Sequence, residues 1–458
     1  MRAARGLSLR PEDMARGEEG SGLTICVVGL GRMGLPTACL YAEAGFEVIG
    51  ADINPAVVRA VSSGEAPFEE PGLEELLSKN VEAGRLRATT DVREASSKAD
   101  VVKVIVPTPI DEHKRPDYSS IRKACREVGL GLRPGSLIII ESTVGPGTTE
   151  EILKKELEEA SGLRAGEDFG LAYSPIRATS GRVLKDLARY PRVLGAVDED
   201  SLRAAKAILL AVTEGGVIEV SSIKTAEAVK LFENVYRDVV LALTNELAHF
   251  CEEAGIDFLE VAEAANSQPY CHLLKPGLVG GHIPKDPYLL FAKAEELGVR
   301  LRVAKAARAA NDDVVRRVLK MAREALREHG KSLRRARIAI LGISYKANVK
   351  NPAGSKALEL VKRLRRRCKS VSVWDPFYTK SEAEALGYPA ASSLTEALSD
   401  ADCVIITVGH TKFKELDLRA LKGLVADPCI IVDAAGAVEP GRARTLGLIY
   451  RGLGRAKG

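Results

Sequence analysis

At 458 residues the chain is too long for one small core, and at about 100 to 200 residues per domain it predicts two or three. With 46% hydrophobic and 28% charged residues it reads as a soluble globular protein, and a formal net charge of +4 without a basic stripe gives no nucleic-acid partner. No apolar run approaches the roughly 20 residues of a membrane span, so no membrane partner is expected. Residues 1–21 are polar, lack the apolar heart of a secretion signal, and are expected to form a flexible tail. The eight cysteines are scattered, with no CxxC pair and no metal-ligand spacing. That usage fits a reducing, cytoplasmic location and no metal site.

From Thr24 short β-branched runs alternate with helical stretches: TICVVGL, a helix from Met33 to Gly45, then FEVIGAD. Strand-like runs follow at Val101–Val106, Leu137–Glu141 and Phe169–Tyr173, the pattern of a parallel, doubly wound sheet. Lys103 interrupts an otherwise apolar strand, and the sequence offers no account of it. Ser222 to Gly255 then carries helical periodicity through Ala228, Leu231, Val235, Val239 and Leu243, predicting one long helix. A Gly/Pro-rich loop at Lys275–Pro287 precedes a second long helix, Leu301–His329. At Ala336 the βα alternation restarts with RIAILGISY, a helix to Arg367, SVSVWDP, ADCVIITVG and CIIVDAAG. The expected fold class is α/β: a Rossmann-like cofactor domain over residues 22–215, a helical segment over 216–330 that forms a homodimer interface, and a second Rossmann-like domain over 331–458.

The turn Gly29-Leu30-Gly31-Arg32-Met33-Gly34 directly follows a strand and opens a helix, and a second strand ends at Asp52. This is the context a dinucleotide-binding glycine turn requires. Gly29 permits the tight turn, Gly31 lets the backbone approach a pyrophosphate, and Gly34 lets helix and strand pack closely. The free N–H groups of the helix N-terminus favour the phosphates. Asp52 accepts from ribose hydroxyls and repels a 2′-phosphate, which selects NAD over NADP.

The stretch VGLGRMG…DIN, with PFEEPGLEELL at Pro67, RLRATTD at Arg85, VPTPID at Val106 and STVGPGTT at Ser142, closely resembles the nucleotide-sugar dehydrogenases. The resemblance continues through KTAEAVKLFENVYRDVVLALTNELA, PGLVGGHIPKDP and LGISYKANVKNPAGSKALEL, covering Thr24 to Arg455. It implies oxidation of C6 of a UDP-hexose to a carboxylate by two NAD, with the last domain binding the UDP-sugar. Arg32, Met33, Pro107, Thr108, Ser142 and Thr143 would join the cofactor site. Lys230, Gly280, Gly281 and Lys346 would contact the substrate. The glycine-histidine loop and the Ser174-Pro175 pair look more like the UDP-N-acetylmannosamine or UDP-N-acetylglucosamine branch than the UDP-glucose branch.

Such a reaction needs two hydride transfers, the first with a base and with stabilisation of charge on oxygen, the second with a nucleophile that captures the aldehyde. For the first half, Lys230 and Asn234 share one helix face four residues apart. In the resembled family this pair donates to the reacting oxygen, Asp286 matches a carboxylate beside the catalytic water, and Thr143 matches the hydroxyl that works with it. For the second half, His282 stands where the family pattern GGxCxPKD has cysteine, and Ile176 stands where a general-base glutamate follows Ser174-Pro175. Ala353 and Ala435 occupy two further positions at which the family has arginine. Cys271 is the one thiol near the loop, and His282 itself could act as a base. The expectation is an NAD-dependent oxidation that stops at the aldehyde, or passes it without a cysteine adduct. The alternatives are a catalytically silent nucleotide-binding paralogue and a β-hydroxyacid dehydrogenase, which shares GLGRMG and a Lys-x-x-x-Asn helix.

Overall fold

A computed structural model describes residues 22–456, and the expected tail over residues 1–21 lies outside them. The chain divides into two compact units. One comprises the residues up to Glu233 with Tyr288–Arg300, and the other Asn234–Pro287 with the residues from Leu301 onward.

The first unit is built on an eight-stranded sheet of β1 (Thr24–Val28), β2 (Glu47–Ala51), β3 (Leu86–Thr89), β4 (Val101–Val104), β5 (Leu137–Ile140), β6 (Gly170–Tyr173), β7 (Arg192–Ala196) and β8 (Val217–Glu219). Their order is β3-β2-β1-β4-β5-β6-β7-β8. The six strands from β3 to β6 are parallel, with the reversal of strand order between β1 and β4 at which α/β folds bind ligands. The strands β1, β4, β5 and β6 bury side chains on both faces, which explains their near-continuous apolar runs. Ile25, Val27 and Ile139 enter one cluster, and Cys26, Val28 and Ile138 enter the other. The purely parallel expectation needs one correction: β7 runs antiparallel to β6, pairing Ala172 with Ala196.

The second unit carries a five-stranded parallel sheet of β9 (Arg337–Leu341), β10 (Ser370–Trp374), β11 (Cys403–Ile406), β12 (Ile430–Asp433) and β13 (Ile449–Gly452), in the order β10-β9-β11-β12-β13. The predicted long helices form as Ile223–Ala254 and Arg302–Glu328, and the boundary between the units falls within the first of them. In the second helix Val314, Val315, Val318, Leu319 and Ala322 make the apolar stripe that packs into the core with Ile338 and Ile340.

The two sheets repeat one construction. Gly29 N–H bonds to Ala51 O at 2.7 Å, and Gly342 N–H bonds to Trp374 O at 2.9 Å. Asp52 Oδ2 accepts Leu30 N–H at 2.8 Å, and Asp375 Oδ2 accepts Ile343 N–H at 2.7 Å. Before β4 in the first unit and β11 in the second, Asp100 Oδ2 accepts Thr24 N–H at 2.9 Å and Asp402 Oδ2 accepts Arg337 N–H at 2.8 Å. Both turns therefore use a carboxylate at the end of the neighbouring strand to fix the first backbone amides after the glycine. The copies diverge at the carboxylate's other partner. Asp375 is buried against His410 Nε2 at 3.1 Å, whereas Asp52 is half-buried and bonds only to backbone amides, Leu30 N–H and Asn54 N–H, the latter at 2.9 Å.

Candidate functional site

Two glycines of the first turn have a steric reason. Gly29 has φ 95°, and a Cβ there would come within 2.3 Å of Ile105 O. A Cβ on Gly34 would meet Gly29 O at 1.8 Å, so the Gly34–Glu43 helix can start against the strand only without a side chain. A Cβ at Gly31 would meet nothing within 4 Å, so this position faces open space. That cradle fits the pyrophosphate of a dinucleotide. Arg32 lies over the Phe68 ring at 5.2 Å, and Met33 is half-buried at the helix start. Asp52 directly follows β2 with its carboxylate held by Leu30 and Asn54 amides, leaving lone pairs for ribose hydroxyls.

The segments after β4 and β5 are tied together. Ser142 Oγ accepts Val106 N–H at 2.8 Å, and Thr108 Oγ1 donates to Thr143 O at 2.5 Å. Tyr173 on β6 donates its hydroxyl to Ser142 O at 3.1 Å. Pro107, Thr108, Ser142 and Thr143, predicted separately from two motifs, thus belong to one bonded edge of the sheet.

Beneath this edge lies the unexplained Lys103. Its ammonium is fully buried 3.2 Å from Glu141 Oε1 and 3.2 Å from Tyr41 Oη, and Arg192 Nη2 bonds to the same Glu141 oxygen. Arg192 also reaches Ser174 Oγ at 3.3 Å, so one carboxylate joins β4, β5, β7 and the Ser174-Pro175 loop. Burial of two cations is tolerable only because Glu141 faces both.

Lys230 donates its ammonium to the Ile176 carbonyl. Ile176 is 2% exposed and packs with Val183, Leu187 and the half-buried Met33 and Leu40, so the residue after Ser174-Pro175 is a hydrophobic anchor. Next to it, Arg177 pairs with Glu233 at 2.6 Å.

In the second unit Asn234 donates to Asp286 Oδ2 at 2.6 Å, and Lys285 Nζ stands 3.0 Å from Asp286 Oδ1. Asp286 opens the Asp286–Glu296 helix, and its amide bonds to His282 O at 3.0 Å. The His282 backbone is therefore part of the helix start while its imidazole is on the exposed side. Gly280 and Gly281 are accounted for by loop packing: a Cβ on either would strike Tyr345, at 2.8 and 2.6 Å. Gly281 N–H bonds to the carbonyl of Ala353, and a Cβ on Gly354 would come 2.4 Å from Gly281 O. Ala353 thus supports the His282 loop through its backbone. Lys346 is half-buried in the same Tyr345–Lys346 segment, and Ala435 follows β12.

The thiols supply no obvious replacement nucleophile. Burial pushes Cys26, Cys39 and Cys429 up to about 12, and also raises Cys125 and Cys403 well above the ordinary thiol value. Cys271 is partly buried in the stretch after the Phe258–Ala265 helix. Among the described residues no group of three or more His, Cys, Asp or Glu is placed to hold a metal ion, and no helix is long and apolar enough to cross a membrane. Sequence reading missed Glu141, Arg192 and Glu227, whose buried carboxylates and guanidinium organise the loops; Glu141 and Arg192 are charges bordering apolar runs, whereas Glu227, between Lys224 and Lys230, carries no such signal.

Three domain models match the chain in succession: the NAD binding domain of the UDP-glucose/GDP-mannose dehydrogenase family over residues 23–212, its central domain over 224–313 and its UDP binding domain over 339–440. The chain is 34% identical over 436 residues to the UDP-N-acetyl-D-mannosamine dehydrogenase of Pyrococcus horikoshii, covering 94% of this chain and 99% of that one. It is 35% identical over 422 residues to the NDP-N-acetyl-D-galactosaminuronic acid dehydrogenase of Ralstonia solanacearum, covering 90% and 96%. Among solved structures, the Pyrococcus horikoshii enzyme matches with a TM-score of 0.87 at 34% identity over 94% of this chain and 99% of that one. A UDP-glucose dehydrogenase from Pyrobaculum islandicum matches with a TM-score of 0.86 at 27% identity, covering 96% and 99%.

Proposed function

This chain belongs to the UDP-glucose/GDP-mannose dehydrogenase family of NAD-dependent nucleotide-sugar dehydrogenases, and from that premise we propose that it oxidises C6 of a UDP-N-acetylhexosamine only to the aldehyde. The match across all three domains replaces the β-hydroxyacid dehydrogenase reading. NAD, when bound at the Gly29–Gly34 turn, supplies the hydride acceptor. Every other task falls to side chains of the chain itself.

Alcohol oxidation removes a hydride from carbon and a proton from the hydroxyl. Lys230 and Asn234, one turn apart on one helix, offer N–H donors to the oxygen as charge develops on it. Asp286, fixed by Asn234 and Lys285, takes the hydroxyl proton through a water, and the resemblance assigns the Thr143 hydroxyl to the same step. The observation that carries the reading is the bonded Asn234–Asp286 pair, kept intact where His282 and the buried Ile176 remove the thiol and the carboxylate of the second step. Lys346 is the proposed contact for the UDP portion, in a domain that has lost two arginines at Ala353 and Ala435 and so binds the diphosphate with fewer bidentate donors.

The N-acetylhexosamine preference is supported by the relatives from Pyrococcus and Ralstonia, both named for N-acetylated sugars. A homodimer through the 216–330 segment is supported by Tyr236, Leu243, Leu247 and Phe250, which leave an apolar stripe exposed along the long helix. The unpaired cysteines support a cytoplasmic setting. The test is NADH formation across UDP-N-acetylmannosamine, UDP-N-acetylglucosamine, UDP-N-acetylgalactosamine and UDP-glucose, with calorimetry for binding in parallel. Turnover of an N-acetylated sugar supports the reading, and binding without NADH from any sugar replaces it with a silent paralogue.

A further inference from the structure

Glu227 is fully buried near the start of the Ile223–Ala254 helix, and the reaction above makes no use of it. Its two carboxylate oxygens accept two separate backbone amides, Gly147 N–H at 2.5 Å and Thr149 N–H at 2.8 Å. Those amides form the far end of the turn that begins at Ser142 and Thr143. The near end is already tied to Val106 and Thr108, and Gly147 sits at φ 94°. Lys230 lies three residues beyond Glu227, on the same helix face.

We propose that Glu227 is a positioning residue, fastening the Ser142–Thr149 turn, and with it Thr143, to the stretch of helix that carries Lys230. The proposal rests on the dehydrogenase reading above, since Thr143 and Lys230 matter together only if they serve one reacting centre. A carboxylate suits the task because it has acceptors and no donor. A carboxylic acid or an amide would turn an O–H or N–H toward one of the two backbone N–H groups. Burial pushes the Glu227 carboxyl up to about 7, against the lowering effect of the Thr149 and Gly147 donors and with Glu150 adding repulsion. The clamp is therefore complete above neutrality and loses an acceptor below it.

The other ionisable groups around the turn are engaged elsewhere. Tyr118 accepts Gly145 N–H at 2.9 Å, and burial raises its hydroxyl away from this range. Glu151 is held by Lys293 at 2.7 Å and Lys224 at 3.4 Å, and its carboxyl is lowered by those ammonium groups. Glu296 pairs with Lys293 at 3.0 Å. Glu227 is thus the buried group of the turn that changes charge near pH 7.

Hydrogen exchange at the Gly147 and Thr149 amides, with steady-state kinetics on wild type and Glu227→Gln, tests the clamp. In wild type the protection of both amides, corrected for intrinsic rates, should fall between pH 8 and pH 6. In E227Q they should exchange about tenfold faster at pH 8, as expected for roughly one lost hydrogen bond, while the Gly181 and Val183 amides, held by Glu70, stay as in wild type. The kcat of E227Q should fall about tenfold with KM for NAD unchanged, and the acidic limb of its kcat profile near pH 7 should vanish. Unaltered exchange in E227Q overturns the clamp, and faster exchange with wild-type kcat and pH profile overturns its positioning role. A wild-type protein that forms no NADH contradicts the dehydrogenase reading instead, and with it the positioning role; exchange alone then decides the clamp.

Discussion

Asn234 holds Asp286 by a side-chain hydrogen bond of 2.6 Å in a setting where Asp286 is 1% exposed. Removing the donor leaves a buried carboxylate oxygen without its partner, a cost of about 1–3 kcal/mol. Asn234→Ala should therefore lower kcat by at least about a hundredfold, because it removes both a donor to the reacting oxygen and the group that orients the base. NAD affinity by calorimetry should stay within about twofold, since the glycine turn is untouched. A parallel loss of NAD binding would show that the pair supports the fold rather than the chemistry.

The two cations on Glu141 are not equivalent. Lys103→Met should change stability by less than about 1 kcal/mol, because Arg192 still neutralises Glu141 and a thioether fits the apolar strand. Arg192→Met should cost about 3 kcal/mol, since it also releases Ser174. Urea unfolding of the two variants compares them directly. Equal losses would mean that the network acts as one inseparable triad.

Asp52 accepts two backbone amides and still has lone pairs for a ribose. Asp52→Ser should weaken NAD binding about tenfold, the loss of a charge-assisted hydrogen bond, and should improve NADP relative to NAD by a similar factor. Binding isotherms for both cofactors give the ratio. Its constancy would remove Asp52 from the cofactor site.

Glu227 also makes a stability prediction with a definite sign. Its folded-state carboxyl titrates at about 7, above the ordinary 4.5, so between these values the folded chain holds a proton that the unfolded chain has released. Stability must fall as pH rises through that window, by up to ~3 kcal/mol if the whole shift is realised, and then level off above neutrality. Glu227→Gln lacks this term. Relative to wild type, E227Q should be more stable at pH 8 than at pH 5, by chemical denaturation at the two values. A gap of the opposite sign would mean that the backbone amides outweigh burial.

The readable parts of this chain were those whose cause is local. Gly29 and Gly34 declare their turn because the local backbone leaves no room for a side chain there, and the Ile223–Ala254 helix shows in its own periodicity. β3 and β8 escaped because they are short edge strands that bury at most one residue each, so neither alternation nor a continuous apolar run marks them. The antiparallel entry of β7 depends on its pairing with β6, which nothing within Arg192–Ala196 specifies. Lys103 and Glu227 were opaque for a related reason. Their meaning lies in partners on distant segments, Glu141 and Arg192 for one, and the Gly147 and Thr149 amides for the other. Ile176 could be read as a missing carboxylate, but its role as an anchor against Val183 and Leu187 required the packed structure.

The stoichiometry of NADH to UDP-sugar consumed, with the carbon product trapped by a carbonyl reagent, tests the central claim most directly. One equivalent of NADH and a trapped 6-aldehyde agree with an active centre that keeps Lys230, Asn234, Asp286 and Thr143 but has His282 and Ile176 in place of the thiol and carboxylate of the second step. Two equivalents, a 6-carboxylate and an acyl-enzyme on a cysteine would contradict it.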